Sequence, residues 1–226
     1  MIIGIIAAME SEIKHIYEAL ENKQKHIVNN IEIYEGNINN HKIVVSLSGI
    51  GKVNSAINTA LLINNFSPDV VINSGIAGGS KGLETFDLVI ADKLTYSDFD
   101  CQVFGYTFGQ VPQMPQYFYS DESFKNMVES YLKENNINFK NTTVLTSDSF
   151  RLSASEIKND EKGIYAVEME GTSIAQACYK LKTPFLSFRI ISDILDSDNH
   201  IEEYNLFEEK CAKYSSTLII NFIKTL

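Results

Sequence analysis

Short apolar runs alternate with amphipathic segments along this chain, and the alternation predicts strands followed by helices. Residues 2–8 form an apolar run that ends in small residues, as expected for a strand buried on both faces. The next segment places Ile13, Ile16, Tyr17 and Leu20 at the i, i+3, i+4 and i+7 spacing of one helix face. The chain therefore opens with a predicted strand and helix.

The rest of the chain repeats this pattern. Further strands are predicted at 29–36, 42–48, 70–73, 87–91, 143–146, 164–167 and 184–191. Further helices are predicted at 51–65, 123–135, 170–181 and 203–224. The glycine-rich residues 74–79 are interpreted as a turn, and the aromatic-rich residues 96–120 as a long ordered loop. This order predicts a single α/β domain over residues 1–226, with a mixed, mostly parallel β-sheet flanked by helices.

Charge and cysteine content narrow the possible partners. The chain has 19 Lys and Arg against 29 Asp and Glu, a net charge of −10, which argues against nucleic acid or an anionic membrane as a partner. Cys101, Cys178 and Cys211 have no paired spacing, so neither a disulfide framework nor a zinc site is expected. The N-terminal apolar run lacks a basic flank and stops at Met9. We therefore expect a cytoplasmic protein without a metal or cofactor.

Polar residues cluster where predicted strands end, which is where open α/β sheets bind ligands. Three such segments carry carboxylates: 8–12, 167–170 and 189–193. A fourth, 73–78, is rich in glycine, and its amides can approach a ligand closely.

Six segments stand out as a set: GIIAAMESE (4–12), SGIGKVNSA (48–56), VFGYTFGQVPQMP (103–115), SDSF (147–150), AVEMEGT (166–172) and RIISD (189–193). In this order and spacing they strongly resemble the 5′-methylthioadenosine/S-adenosylhomocysteine nucleosidases, a family of the purine nucleoside phosphorylase-like superfamily. The resemblance implies a nucleoside phosphorylase-like fold. It also implies hydrolysis of the N-glycosidic bond of methylthioadenosine, S-adenosylhomocysteine or 5′-deoxyadenosine to adenine and the 5-substituted ribose.

Two carboxyl groups suit this reaction, because adenine leaves poorly unless its ring is protonated and the ribosyl centre acquires oxocarbenium character. By the resemblance, Asp193 protonates adenine N7, Ser192 positions it, and Glu12 activates water. Arg189 is expected beside that water. A buried arginine needs a carboxylate partner, and the expected partner is Glu12. Glu10 is a rival by composition, but the motif spacing favours Glu12.

The resemblance also implies a set of substrate-binding residues. Glu170 is expected to bind the ribose hydroxyls, Met169 to pack against the sugar, Phe150 to stack on adenine, and the Arg151 backbone to read the base edge. The remaining expected positions are Ile50, Ile76, Ala77, Gly78, Glu168 and Tyr204.

Local sequence alone leaves other interpretations open. Asp193 is also compatible with a helix N-cap after a strand that ends near Ile191. Glu12 and Glu170 are compatible with first-turn helix acids, and Phe150 with a core residue.

The aromatic loop implies a homodimer, because in the family this loop of one subunit covers the 5′ site of its partner. The matching positions are Phe104 and Pro112. The chain also departs from its relatives: most carry Ser or Thr at Ile76 and an apolar residue at Arg151, which leaves the preferred 5′ group open. The four histidines, His15, His26, His41 and His200, show no metal spacing and are interpreted as surface or internally satisfied residues.

Two alternatives from other classes remain. A phosphorolytic nucleoside phosphorylase must bind phosphate, which is disfavoured by a chain with two arginines and a carboxylate at Glu12. A catalytically weak nucleoside-binding protein on the same fold is kept open by Ile76 and Arg151.

Overall fold

The computed structural model describes residues 1–159, 161–198 and 200–226. Its strands are β1 (Ile2–Ala7), β2 (Glu21–Val28), β3 (Ile31–Ile38), β4 (His41–Leu47), β5 (Val70–Gly79), β6 (Leu88–Tyr96), β7 (Phe118–Tyr119), β8 (Lys140–Thr146), β9 (Tyr165–Glu168) and β10 (Phe185–Ile194). Its α-helices are α1 (Glu10–Ala19), α2 (Lys52–Phe66), α3 (Glu122–Glu134), α4 (Gly171–Leu181) and α5 (His200–Ile223).

All ten strands join one sheet, in the order β10-β6-β8-β9-β5-β1-β4-β3-β2, with β7 paired to β6. Strand β10 also pairs with β5, which closes β5, β9, β8, β6 and β10 into a barrel. Antiparallel pairs such as β10–β6 and β5–β9 are as numerous as parallel pairs among the described residues. The predictions of an α/β chain and a mixed sheet are confirmed, but parallel pairs do not outnumber antiparallel ones, because β10–β6, β5–β9, β6–β7 and the β2–β4 meander are antiparallel.

The sheet separates two apolar layers. Ile3 and Ile5 of β1 pack with the faces of α1 and α5, while Ile6, the residue after Ile5, packs with α2 and α4 on the opposite side. This follows from the alternation of side chains along a strand. Strands β5 and β10 are buried over nearly their whole length, so their carboxyl ends are fixed firmly in the interior.

Several predicted elements differ from those observed. Residues 21–28 form the edge strand β2, which has mostly exposed polar side chains and therefore gave no apolar signal. Residues 74–79 continue β5 as a strand, so the predicted turn is wrong. Strand β10 runs on to Ile194, so Asp193 lies within a strand and the helix-cap interpretation is wrong. The predicted loop at 96–120 is largely irregular, apart from a 3-10 turn at Gln102–Phe104 and the short β7.

No helix among the described residues is both long enough and apolar enough to cross a membrane.

Candidate active site

A cavity opens where the carboxyl ends of β1, β5, β9 and β10 meet. Of the residues singled out from the sequence, it is lined by Glu12, Ile50, Ile76, Ala77, Gly78, Phe150, Arg151, Glu168, Met169, Glu170, Arg189, Ser192, Asp193 and Tyr204. Phe104 and Pro112 are not among its lining residues. The barrel thus brings together residues that are up to 192 positions apart, counting from Glu12 to Tyr204.

Glu12 lies in the first turn of α1 and is buried, whereas its rival Glu10 is exposed. Its Oε2 accepts hydrogen bonds from the backbone amides of Ala8 (2.9 Å) and Met9 (3.0 Å), and its Oε1 accepts one from Ile76 N (2.9 Å). Burial raises the pKa of the Glu12 carboxyl above its ordinary value, although the Arg189 charge and these amides act in the opposite direction.

Two glycines of β5 make room for the charged side chains. A Cβ added at Gly75 would collide with Arg189 Nη1 and Glu12 Oε1. One added at Gly78 would lie 2.9 Å from Asp193 Oδ2. The glycine-rich segment is thus a strand whose missing side chains admit carboxylates and a guanidinium, in addition to presenting amides to the cavity.

Arg189 is 1% exposed and pairs with Glu168, not with Glu12 as expected. Its Nη2 also donates to Asn73 Oδ1 (2.6 Å) and lies 3.8 Å from Glu170 Oε2. The expected Arg189–Glu12 pair is wrong because three backbone amides hold Glu12, while Glu168 at the end of β9 faces the guanidinium. A buried ion pair of this kind is costly to break, since one charge would be left uncompensated.

Glu168 organises the start of α4. Its Oε2 accepts hydrogen bonds from the backbone amides of Glu170 (2.9 Å) and Gly171 (2.6 Å), and its Oε1 accepts one from the Thr146 hydroxyl. It therefore satisfies amide groups that a helix N-terminus leaves without internal partners.

Glu170 immediately precedes α4 and is buried, so it is not a solvated first-turn acid. Its Oε1 accepts a hydrogen bond from Gly51 N (2.8 Å) at the start of α2. Burial and the neighbouring Glu168 charge raise the pKa of Glu170 to about 8, against the opposing effect of Arg189.

Asp193 reaches the cavity through a bulge in β10. Pairing with β5 shifts register between Ile191 and Asp193, so Ser192 is the extra residue. The Ser192 hydroxyl donates to Asp193 Oδ1 and also lies 3.3 Å from Ala77 O. Burial raises the pKa of the Asp193 carboxyl and outweighs the Ser192 hydrogen bond, while a positive charge on His200 would act in the opposite direction.

His200 was interpreted from the sequence as a surface or internally satisfied histidine, and the structure shows it buried against the cavity. It is 5% exposed, its Nε2 lies 2.9 Å from Asp193 Oδ2, and its ring meets Phe150 edge to face at 5.6 Å. Motif spacing gave no signal for it, since the contact depends on how α5 begins after β10.

The apolar wall of the cavity is formed by Ile50, Phe150 and Tyr204. The Phe150 ring is 47% exposed, so it is not a core residue, and it meets Tyr204 edge to face at 5.3 Å. The Ile76 side chain is buried in the apolar cluster between the sheet and α5, and its backbone faces Glu12.

Arg151 points its guanidinium away from solvent towards the neighbouring loops. Its Nε donates to Ser147 Oγ (3.1 Å), its Nη2 to Ser97 O (3.3 Å), and its Nη1 lies 3.5 Å from Glu156 Oε2. The side chain therefore ties the segment after β8 to the end of β6, and Arg151 also lines the cavity.

Asn73 is a further site residue that sequence reasoning missed. It is 1% exposed and accepts the hydrogen bond from Arg189. A buried amide inside the apolar run of β5 is itself unusual and was the available signal.

Comparisons with known proteins agree with this geometry. Residues 2–224 match the family model described as the phosphorylase superfamily. A 5′-methylthioadenosine/S-adenosylhomocysteine nucleosidase of Staphylococcus carnosus is 39% identical, over 99% of this chain and 100% of the relative. The Neisseria meningitidis nucleosidase of that name, solved with methylthio-immucillin-A, superposes with a TM-score of 0.93 at 35% identity, covering 100% of this chain and 99% of that one.

A second solved structure, the Streptococcus pneumoniae nucleosidase with a transition-state inhibitor, gives a TM-score of 0.92 at 36% identity and covers 99% of both chains. These similarities extend over the whole length of the chain and include the strands that form the cavity. The chain therefore belongs to the 5′-methylthioadenosine/S-adenosylhomocysteine nucleosidase family of the phosphorylase superfamily.

Proposed function

We propose that this protein hydrolyses the N-glycosidic bond of 5′-methylthioadenosine and S-adenosylhomocysteine, and also of 5′-deoxyadenosine, releasing adenine and the 5-substituted ribose. The observation that carries the proposal is the presence in one cavity of two buried carboxyl groups with raised pKa, Asp193 and Glu12. Family membership supports the substrate class, because the relatives bear these substrates in their names.

Asp193 is the proposed acid. Its raised pKa keeps the carboxyl protonated nearer to neutral pH, so it can donate to adenine N7 as the C1′–N9 bond breaks. The bonding electrons then leave with a protonated purine. Ser192 holds one carboxyl oxygen and so fixes the direction of the other.

Glu12 is the proposed base. A carboxylate offers about four acceptor positions, and three of those of Glu12 are occupied by backbone amides, which leaves capacity for one water. That water adds to C1′ as the oxocarbenium character develops and gives its proton to Glu12. Arg189 supplies positive charge nearby and holds Glu168 and Glu170 in place.

Substrate binding is assigned to the remaining walls of the cavity. Glu170 accepts from the ribose hydroxyls, with Met169 against the sugar, and Phe150 stacks on adenine next to the Arg151 backbone. The geometry supports these roles because each group lines the cavity and the Glu170 carboxyl is fixed by Gly51 N.

Phosphorolysis is disfavoured because the arginines that line the cavity are already engaged by other groups. Among the described lining residues the arginines are Arg151 and Arg189. Arg189 is neutralised by Glu168, and Arg151 is held by Ser147 and Ser97 outside the substrate space. A phosphate ion would also meet the Glu12 carboxylate.

We further propose a homodimer in which the aromatic loop reaches the partner's 5′ site. Phe104 is 76% exposed, and Val103 beside it is also exposed, as are Val53 and Ile57 on one face of α2. Lys52 at the start of α2 pairs with Asp98 at the start of this loop (2.8 Å). Exposed apolar side chains grouped in this way are typical of a protein–protein contact.

A cytoplasmic location remains part of the proposal. Cys101, Cys178 and Cys211 are all free thiols, which fits a reducing compartment.

The direct test is adenine release from methylthioadenosine in phosphate-free buffer, repeated with added phosphate. We expect equal release in both buffers, with free methylthioribose as the second product. Release that requires phosphate would identify a phosphorylase and overturn the role of Glu12. Binding of intact nucleoside without release would identify a binding protein instead.

A further inference from the structure

The contacts of His200 define which ring nitrogen carries its hydrogen. Its Nδ1 lies 2.9 Å from Ile194 O, and a backbone carbonyl oxygen can only accept, so Nδ1 carries the hydrogen. This leaves Nε2, which is buried and lies 2.9 Å from Asp193 Oδ2, as the nitrogen that faces the acid. The approach is close, although Nε2 and the carboxyl are not fully aligned as a hydrogen bond.

The geometry of His200 fixes what its ring presents to the acid. Because Nδ1 donates to Ile194 O, the neutral ring presents the Nε2 lone pair to Asp193 Oδ2. A carboxyl that keeps its hydrogen can donate it to this lone pair, so the two side chains can hold one proton between them with the hydrogen on Asp193. This is the protonation state that a general acid needs before it donates a proton to a purine.

We propose that His200 and Asp193 share one proton, so that His200 is a positioning residue that keeps the acid protonated at and above neutral pH. The inference rests on the proposed acid role of Asp193. It concerns a residue for which neither motif nor spacing gave a role.

The proton balance closes over one turnover. Asp193 gives its proton to the purine and becomes a carboxylate. The attacking water gives a proton to Glu12, which later releases it to solvent. The His200–Asp193 pair then takes one proton from solvent, first on Nε2 or directly on Oδ2, and returns to its starting state.

Other titratable groups surround the pair, and their effects on the pH profile must be distinguished from the effect of His200. Glu203, one turn along α5, adds a negative charge that raises the pKa of Asp193. Cys211 of the same helix donates to Ile191 O, and burial raises its pKa to about 12. Burial likewise raises the pKa of Tyr204 to about 12. Of these three, Glu203 is the group whose effect on Asp193 needs its own variant.

The first test measures kcat/KM for adenine release from pH 5 to 9 in wild type, His200→Gln and His200→Asn. Glutamine keeps a donor near the Nε2 position and asparagine keeps one near Nδ1, but neither can hold the shared proton. We expect both to move the alkaline limb to lower pH by about one unit, which is about a tenfold loss at pH 8 with near-wild-type activity at pH 5.5.

Matched controls separate this effect from simple loss of packing. His26→Gln, on the edge strand β2, should leave the pH profile unchanged. The shift caused by His200→Gln should persist in a Glu203→Gln background. A wild-type pH profile in His200→Gln, or the same fractional loss at every pH, would overturn the proposal.

A second measurement depends neither on activity nor on any substitution of His200. The ¹⁵N shifts of the His200 ring in the wild-type protein should show the neutral tautomer with hydrogen on Nδ1, and the Nε2 signal should move in Asp193→Asn. Hydrogen on Nε2 in the neutral ring, or no response to Asp193→Asn, would refute the pairing. If wild type cleaves no 5′-substituted adenosine, the proposed function fails, and this spectrum still decides whether the pair exists.

Discussion

The buried carboxyl groups are held by neighbours in sequence and also by residues far from them in sequence. Glu12 accepts from Ile76 N, Glu170 from Gly51 N, and Arg189 donates to Asn73. The motifs identified the carboxylates themselves, because their spacing is local. They do not identify the partners, because those depend on how distant strands align. The sequence therefore predicts an Arg189–Glu12 pair, whereas the structure has an Arg189–Glu168 pair.

At the residue scale, the raised pKa of Glu170 predicts how stability depends on pH. The folded chain holds a proton on Glu170 up to about pH 8, while the unfolded chain loses it near the ordinary value of 4.5. The stability that this proton contributes is complete below 4.5 and is lost as pH rises through about 8. We expect the melting temperature to fall between pH 5 and 8, and to fall less steeply in Glu170→Gln.

The measurement is thermal unfolding followed by circular dichroism across that range. Glu10→Gln is the matched control, because Glu10 is an exposed glutamate that does not line the cavity. Equal slopes in Glu170→Gln and wild type would contradict the assignment.

At the scale of elements, β5 and β10 position the site through features that break regular strand rules. Glycines in β5 admit side chains from β10 and α1, and the bulge at Ser192 turns Asp193 towards the cavity. Sequence pattern placed both strands but misjudged residues 74–79 as a turn, since glycine usually marks turns. The physical reason for these glycines lies in the side chains that pack against them.

Gly78→Ala tests this feature of β5. The new Cβ would lie 2.9 Å from Asp193 Oδ2 and 3.0 Å from Val167 Cγ2, so the acid must move. A displacement of about 1 Å costs about 10²-fold in rate, and we expect adenine release to fall by that order.

Gly36→Ala is the control for Gly78→Ala. Gly36 lies on β3 and does not line the cavity, and its added Cβ would lie 2.7 Å from Glu21 O on β2. The change should therefore lower the melting temperature without lowering the activity of the folded fraction. Full activity in Gly78→Ala would show that Asp193 does not need its observed position.

At the scale of the whole molecule, the closure of the barrel determines where the site forms. The alternation of strands and helices predicted an α/β chain, and the resemblance predicted its nucleoside phosphorylase-like architecture. The closure of β10 onto β5 is not visible in any local pattern, and neither is the polar edge strand β2. The exposed apolar residues on α2 and the aromatic loop are the basis of the proposal that a second copy completes the site.

Phe104→Asp tests the proposed dimer. A charge in the apolar contact should halve the mass measured by light scattering at low micromolar concentration and raise KM for methylthioadenosine. Ile27→Asp, which adds a charge at an exposed apolar position on β2, should leave both unchanged. A monomeric wild type, or a Phe104→Asp variant that dimerises normally, would contradict the proposal.

The most direct test of the central claim is adenine release from methylthioadenosine by Asp193→Asn beside wild type in phosphate-free buffer. Asparagine keeps the shape of the side chain but has no acidic proton to give. We expect the variant to fold and bind substrate while kcat falls by about 10² to 10⁴-fold, the usual contribution of a general acid. Undiminished adenine release from Asp193→Asn would show that the purine leaves without this proton and would contradict the mechanism.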